Sequence, residues 1–116
     1  MKKLSTALLL FIAVLCYVEG SYMTGNKLYS DLRYVPGNDS TFEGISNWAR
    51  GMGYIEGLCD GYNGIMFFAG PNVTGGQLKD IVLKYLGDHP ETRDQNAAVL
   101  VLAAYIEAFP IQKIPS

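Results

Sequence analysis

The fold is decided by residues 40–66, which read STFEGISNWARGMGYIEGLCDGYNGIM. Apolar side chains recur in this stretch at alternating steps of three and four, the spacing that places residues on one face of an α-helix. The residues on that face are Ile45, Trp48, Met52, Ile55, Cys59, Tyr62 and Met66. The pattern predicts one long amphipathic helix packed against the rest of the domain, with Cys59 buried as a small apolar side chain.

Small residues form a second row on the same helix. Ala49, Gly53, Gly57 and Gly61 repeat every four residues, although each interior glycine costs a helix about 0.5–1 kcal/mol relative to alanine. Such a cost persists only where tertiary structure compensates for it. We therefore expect close packing at Gly53, Gly57 and Gly61. We favour a contact with a neighbouring helix of the same chain over a contact with the same helix of a second subunit.

Helix signals recur on both sides of this stretch, and no segment alternates over more than a few residues as a strand would. Ser40 and Glu43 suit a capping box at the start of the long helix. Thr74 and Gln77 suit a second capping box, and Gly87 suits a left-handed cap at the end of the helix that follows.

Two further helices complete the predicted fold. One runs from about Thr24 to Tyr34, and the other runs from Ala97 to Phe109 and is apolar at every position but Glu107. A helix that is apolar all round is expected at the centre of a core. The predicted fold class is all-α, a small single-domain bundle of about four to five helices over residues 21–116.

The amino terminus has the features of a cleaved secretory signal peptide. Two lysines precede an apolar run from residue 7 to 18, and residues 18–20 place small side chains at the cleavage positions. The run of twelve is shorter than the roughly 20 residues that span a bilayer. We therefore expect residues 1–20 to be removed and the protein to have no stable membrane insertion afterwards. Lipidation at Cys16 is an alternative that Leu15 disfavours, because such signals require a small residue there.

Charge and cysteine content narrow the function classes. Nine Lys and Arg residues against eleven Asp and Glu residues leave no basic face for nucleic acid. After cleavage Cys59 is the one cysteine, so no disulfide can close within the chain. His89 is the one histidine, too few for a metal site or for a Cys/His nucleophile pair with a buried Cys59. We expect no enzyme, no cofactor and no metal.

The connection from Asp88 to Gln95 is the candidate partner-binding segment. It gathers Asp88, His89, Glu91, Arg93 and Asp94 between two apolar helices. The alternative is an ordinary solvated connection in which Pro90 sets the start of the next helix.

Several short motifs lie between Gly53 and Pro110: residues 53–57 with Asp60, residues 73–78, Tyr85-Leu86, His89-Pro90-Glu91 and Ala108-Phe109-Pro110. In this order and spacing, they resemble the Tai-type family of type VI secretion amidase immunity proteins. The sequence departs from the family pattern at Gly51, Ala69 and Ile111, where cysteines are common, and the 68–74 loop is one residue shorter.

The resemblance implies a small helical periplasmic protein, usually a homodimer, that binds and blocks a peptidoglycan-cleaving amidase effector. It implies inhibition by occlusion of the amidase active site and no catalysis. A periplasmic holdase or stress chaperone of similar build is the alternative, because the strongly apolar final helix would permit exposure of apolar surface.

Overall fold

The computed structural model describes residues 22–111, and this part of the chain is all-α. Helix α1 spans Gly25–Arg33, α2 spans Phe42–Tyr62, α3 spans Gly75–Asp88 and α4 spans Ala97–Ala108. One turn of 3-10 helix, Pro90–Thr92, lies between α3 and α4. The predicted fold class and helix number are confirmed. The predicted signal peptide, its cleavage site and Cys16 lie outside the described residues.

Threonine side chains begin the first three helices. Thr74 accepts a hydrogen bond from the Gln77 backbone, while the Gln77 side chain accepts one from the Thr74 backbone. The capping box predicted there is confirmed. The box predicted at Ser40 is wrong by one residue, because Thr41 caps α2. The Ser40 hydroxyl instead accepts a hydrogen bond from the Gly37 backbone in the preceding turn.

The helix ends also depart from prediction in one place. Helix α3 continues through Gly87 to Asp88, so the left-handed cap predicted at Gly87 is wrong. The one positive φ in the described chain belongs to Gly64, at 87°, just after α2. Glycine adopts this conformation without a Cβ clash, and the Gly64 N–H donates to the Phe67 carbonyl across the turn.

The core draws on every helix and on the loop after α2. Tyr105 of α4 is fully buried, and its hydroxyl donates to the Ile55 carbonyl of α2 at 2.8 Å. Phe67 anchors the loop, with its ring centroid 5.2 Å from that of Tyr105. The largest other fully buried side chains are Leu28, Leu32, Ile55, Val82, Leu86 and Val101. Apolar packing therefore holds the bundle together. This agrees with the sequence, because residues 21–116 contain a single cysteine and cannot form a disulfide among themselves.

Only the middle of the predicted apolar face of α2 is buried. Ile55 and Cys59 lie in the core, which confirms the burial of the thiol. Ile45 and Tyr62 are exposed, and Met66 lies beyond the end of the helix. Helix α2 is longer than the helices that cover it, so its ends project past the core.

Helix α4 is not buried on all sides, which corrects the prediction for it. Ala97, Leu100, Val101, Ala104 and Tyr105 face the core. Two apolar side chains of the outer face are exposed, Val99 at 60% and Ile106 at 41%. The sequence could not distinguish the faces, because both are apolar.

The predicted close packing of glycines within the chain is not found among the described residues. A Cβ at Gly53, Gly57 or Gly61 would meet no atom within 4 Å, and all three glycines are exposed. Two other glycines of α2 are closely packed instead: a Cβ at Gly51 would lie 3.2 Å from Leu32 of α1, and a Cβ at Gly44 would meet the Tyr34 ring. The alternative, a contact of the three glycines with a second subunit, stays a prediction.

A buried carboxylate joins α1 to α2. The Asp31 side chain is 3% exposed, and its Oδ1 lies 2.7 Å from Lys27 Nζ in the preceding turn. Arg50 of α2 lies 3.6 Å from the other carboxylate oxygen, too far for a hydrogen bond. Lys27 is therefore the principal partner that keeps the buried charge of Asp31 compensated.

Candidate partner-binding surface

Backbone hydrogen bonds tie the connection between α3 and α4 to the start of α1. The Asn26 N–H donates to the Arg93 carbonyl at 2.6 Å, and the Gly25 N–H donates to the Gln95 carbonyl at 2.9 Å. In the other direction, the Ala97 N–H donates to the Met23 carbonyl at 2.8 Å. The connection is consequently held in one conformation, although its outer surface faces solvent.

Three of the five predicted partner-binding residues present carboxylates to solvent. Asp88, Glu91 and Asp94 are exposed. Asp88 forms an ion pair with Lys84 at 3.2 Å, in which both side chains remain largely exposed. Exposed pairs of this kind contribute little to stability, so the carboxylates are available to a partner.

His89 is half-buried at the end of α3. Its ring stacks on the Tyr85 ring with centroids 4.1 Å apart, and its Nδ1 lies 2.7 Å from the Tyr85 carbonyl. A carbonyl can only accept a hydrogen bond, so Nδ1 carries the proton. The other ring nitrogen, Nε2, is then the acceptor of the neutral ring. The contacts of His89 fix its position and leave one acceptor to offer.

Arg93 is also half-buried, and it packs on α1. Its guanidinium lies 4.4 Å from the centroid of the Tyr29 ring, and that of Arg33 lies 4.9 Å from the same ring. The backbone of Arg93 packs on Gly25, where a Cβ would lie 2.7 Å from the Arg93 carbonyl oxygen. Arg93 therefore fastens the connection to α1.

A groove of about 260 Å³ opens beside the connection, between α3 and α4. Ile81, Tyr85 and Ala104 supply an apolar lining, and Asp88, His89 and Glu107 supply polar groups. The groove thus extends the candidate surface from the connection onto the last turns of the two helices.

Sequence reasoning missed the part of this surface that lies on the helices, which includes Tyr29, Tyr85 and Glu107 and the groove residues Ile81 and Ala104. Tyr29, Tyr85 and Glu107 belong to separate helices, and no spacing within one helix relates them to the connection. The exception is the four-residue step from Tyr85 to His89, which places both rings on one helical face and could have indicated their stacking.

A second exposed region lies in the loop after α2. Ile65 is 69% exposed and Phe68 is 61% exposed, although Phe67 between them is buried. The Phe68 N–H donates to the Phe109 carbonyl, which places this loop beside the end of α4. The loop is held in place while presenting two large apolar side chains.

The surroundings of Cys59 are unsuited to nucleophilic chemistry. Burial, and secondarily the Asp60 carboxylate, raise the pKa of the Cys59 thiol above its ordinary value, which favours the unreactive thiol. No group of three or more His, Cys, Asp and Glu side chains in residues 22–111 could hold a metal ion. None of the helices described here is long and apolar enough to cross a membrane.

The family of Rap1a immunity proteins matches this chain over residues 24–111, which include all four helices and the connection. The chain belongs to the Rap1a immunity protein family. No curated protein matches it. Rap1a membership confirms the predicted immunity protein at the level of the family and implies an effector as binding partner. It favours a role in binding over one in catalysis.

Proposed function

We propose that this Rap1a protein is a periplasmic immunity protein that binds a peptidoglycan amidase effector delivered by type VI secretion and occludes its active site. The match over residues 24–111 carries the proposal. The amidase as target rests on the motifs between Gly53 and Pro110 that resemble the Tai-type family. The periplasm rests on the signal-like features of residues 1–20.

The connection between α3 and α4 suits occlusion of an active site because it is both rigid and exposed. Its backbone is hydrogen-bonded to Gly25 and Asn26, and Arg93 is packed on Tyr29. A segment already held in its bound conformation loses little conformational entropy when it enters a cleft. Such preorganisation favours tight inhibition by a contact of ordinary size, about 800 Å² on each partner.

The exposed carboxylates define the chemistry that the connection offers. Asp88, Glu91 and Asp94 would face the amidase, while contacts of His89 with Tyr85 and of Arg93 with Tyr29 anchor the segment to α3 and α1. Substituting the exposed carboxylates should weaken binding without unfolding the protein. Substituting the two anchoring residues should affect binding through the shape of the connection.

A rescue experiment tests the proposal. The full chain, with its signal sequence, is expressed with one periplasm-directed amidase toxin at a time. We expect one amidase whose lysis is prevented and whose purified form is inhibited in a defined complex. Failure to prevent lysis by any amidase would refute the proposed target.

A matched pair of variants locates the contact. Charge reversal of Glu91 to lysine should weaken the complex at least tenfold, about 1.4 kcal/mol. Asp39→Lys is the control, because Asp39 is exposed in the turn between α1 and α2. Equal affinities of the two variants would show that the connection is not the inhibitory contact.

The holdase alternative has one structural observation in its favour, the exposed Ile65 and Phe68 of the loop after α2. A holdase should suppress aggregation of unrelated unfolded proteins, whereas an immunity protein should form a defined complex with one enzyme. Aggregation assays with unrelated clients therefore separate the two functions. A homodimer, which we also propose, would cover part of the exposed apolar surface and is tested by light scattering.

A further inference from the structure

We infer that the groove between α3 and α4 receives an arginine side chain of the effector. The inference rests on the proposed function and gives one side of that contact a defined chemistry. The groove of about 260 Å³ is slightly smaller than the pockets that bury drug-sized ligands. Its size suits one long side chain inserted by a protein partner.

The electrostatics of the groove favour a cation. Asp88 and Glu107 place two carboxylates on it, against the single ammonium of Lys84. The lining comes from the carboxyl-terminal turns of α3 and α4, where helix dipoles add partial negative charge. Neither helix has a basic residue in its last turn to neutralise that charge.

The hydrogen-bonding groups also suit a donor-rich ligand. His89 donates through Nδ1 to the Tyr85 carbonyl, which leaves Nε2 of the neutral ring as an acceptor. Glu107 has no ion-pair partner among the described residues. A guanidinium has five N–H donors and no acceptor, so carboxylate oxygens and an imidazole nitrogen match it.

The apolar part of the groove suits the aliphatic stem of arginine. Ile81, Ala104 and Ala108 line it with methyl groups, and the Tyr85 ring is held in place by stacking on His89. Arginine packs its methylene stem on apolar surface while its charged end reaches polar groups. Arginine is also enriched among the residues that dominate binding energy at protein interfaces.

A peptide titration tests the inference on the protein alone. The probe is N-acetyl-Ala-Arg-Ala amide, followed by NMR at the methyl groups of Ile81 and Ala108 and at the His89 ring. The matched probe replaces arginine with citrulline, which has nearly the same shape and no charge. We expect saturable shifts at these groups with the arginine peptide, weakening as salt is added, and none with the citrulline peptide.

Two variants with the same change in charge provide the structural control. Glu107→Gln should weaken binding of the arginine peptide about threefold. Asp39→Asn, in the turn between α1 and α2, should leave it unchanged. Absence of saturable shifts, equal binding of the citrulline peptide, or an unaffected Glu107→Gln variant would each overturn the inference.

The peptide result is independent of the rescue experiment, so the two failures are distinguishable. If an amidase is neutralised but the arginine peptide does not bind in the groove, the inference is wrong and the proposed function stands. If the peptide binds there but no amidase is neutralised, the groove is an arginine site and the proposed target is wrong.

Discussion

Replacement of Gly57 by alanine tests whether the outer face of α2 is free or covered in solution. The structure places no atom within 4 Å of a Cβ at this position, and the residue is exposed in the middle of a 21-residue helix. Alanine should then stabilise the isolated subunit by the full propensity difference, about 0.5–1 kcal/mol. For a domain of this size that is a rise in melting temperature of about 2–8 °C.

Gly51 supplies the matched control, because it lies on the side of the same helix that packs against α1. A Cβ there would lie 3.2 Å from Leu32 and 3.4 Å from Asp31. Leucine at Gly51 would overpack the contact between α1 and α2 and should cost about 1–3 kcal/mol or more. Leucine at Gly57 should leave the fold of the subunit intact. Thermal unfolding followed by circular dichroism measures all of these variants.

Light scattering on the same variants resolves the remaining alternative for the glycine row. If α2 packs on its copy in a second subunit, Gly57→Leu should convert dimers to monomers while each monomer stays folded. If Gly57→Ala lowers the melting temperature of a protein that is monomeric throughout, the outer face of α2 is covered within the chain. That result would refute the reasoning from an open face.

Three further predictions concern the core and its charges. Tyr105→Phe should cost about 0.5–1.5 kcal/mol in urea denaturation, because it removes the buried hydrogen bond to the Ile55 carbonyl; no loss would mean that the bond is not formed. Burial raises the pKa of Cys59, so the unfolded chain loses its thiol proton first and stability should fall above about pH 8.5. Cys59→Ala should remove that part of the alkaline loss, and an identical pH profile would contradict the assignment. Lys27→Met should destabilise by about 1–2 kcal/mol, because it leaves the buried carboxylate of Asp31 without its hydrogen-bonded partner and with only Arg50, at 3.6 Å. Asp31→Asn should cost less, since the ammonium of Lys27 can return to water, and the reverse order would show that the pair is not buried in solution.

The parts of the fold that were predicted correctly depend on residues close to one another in the sequence. The capping box of Thr74 and Gln77 is formed as expected, because its partners are three residues apart and need no tertiary contact. The burial of Cys59 also followed from helical spacing, since one side of a long helix must face the core. Both inferences depend on neighbours along the chain.

The glycine row shows where spacing stops being informative. Gly51 and Gly57 are both glycines in the middle of α2, yet only Gly51 touches α1. The propensity cost of the two residues is the same, so no local argument separates the packed glycine from the exposed one. The difference depends on where α1 crosses α2, which is a tertiary property.

The same limit explains the division of the candidate site into two roles. Asp88 to Asp94 formed one polar cluster in the sequence, but the structure turns Arg93 back onto Tyr29 and leaves the carboxylates outside. Because Arg93 packs on an aromatic ring, its charge is less accessible to a partner, whereas the solvated carboxylates can bind one directly. The connection therefore presents a net negative surface held by a positive anchor. This arrangement keeps the acidic segment fixed while its carboxylates remain available, and it agrees with a binding partner that contributes basic side chains.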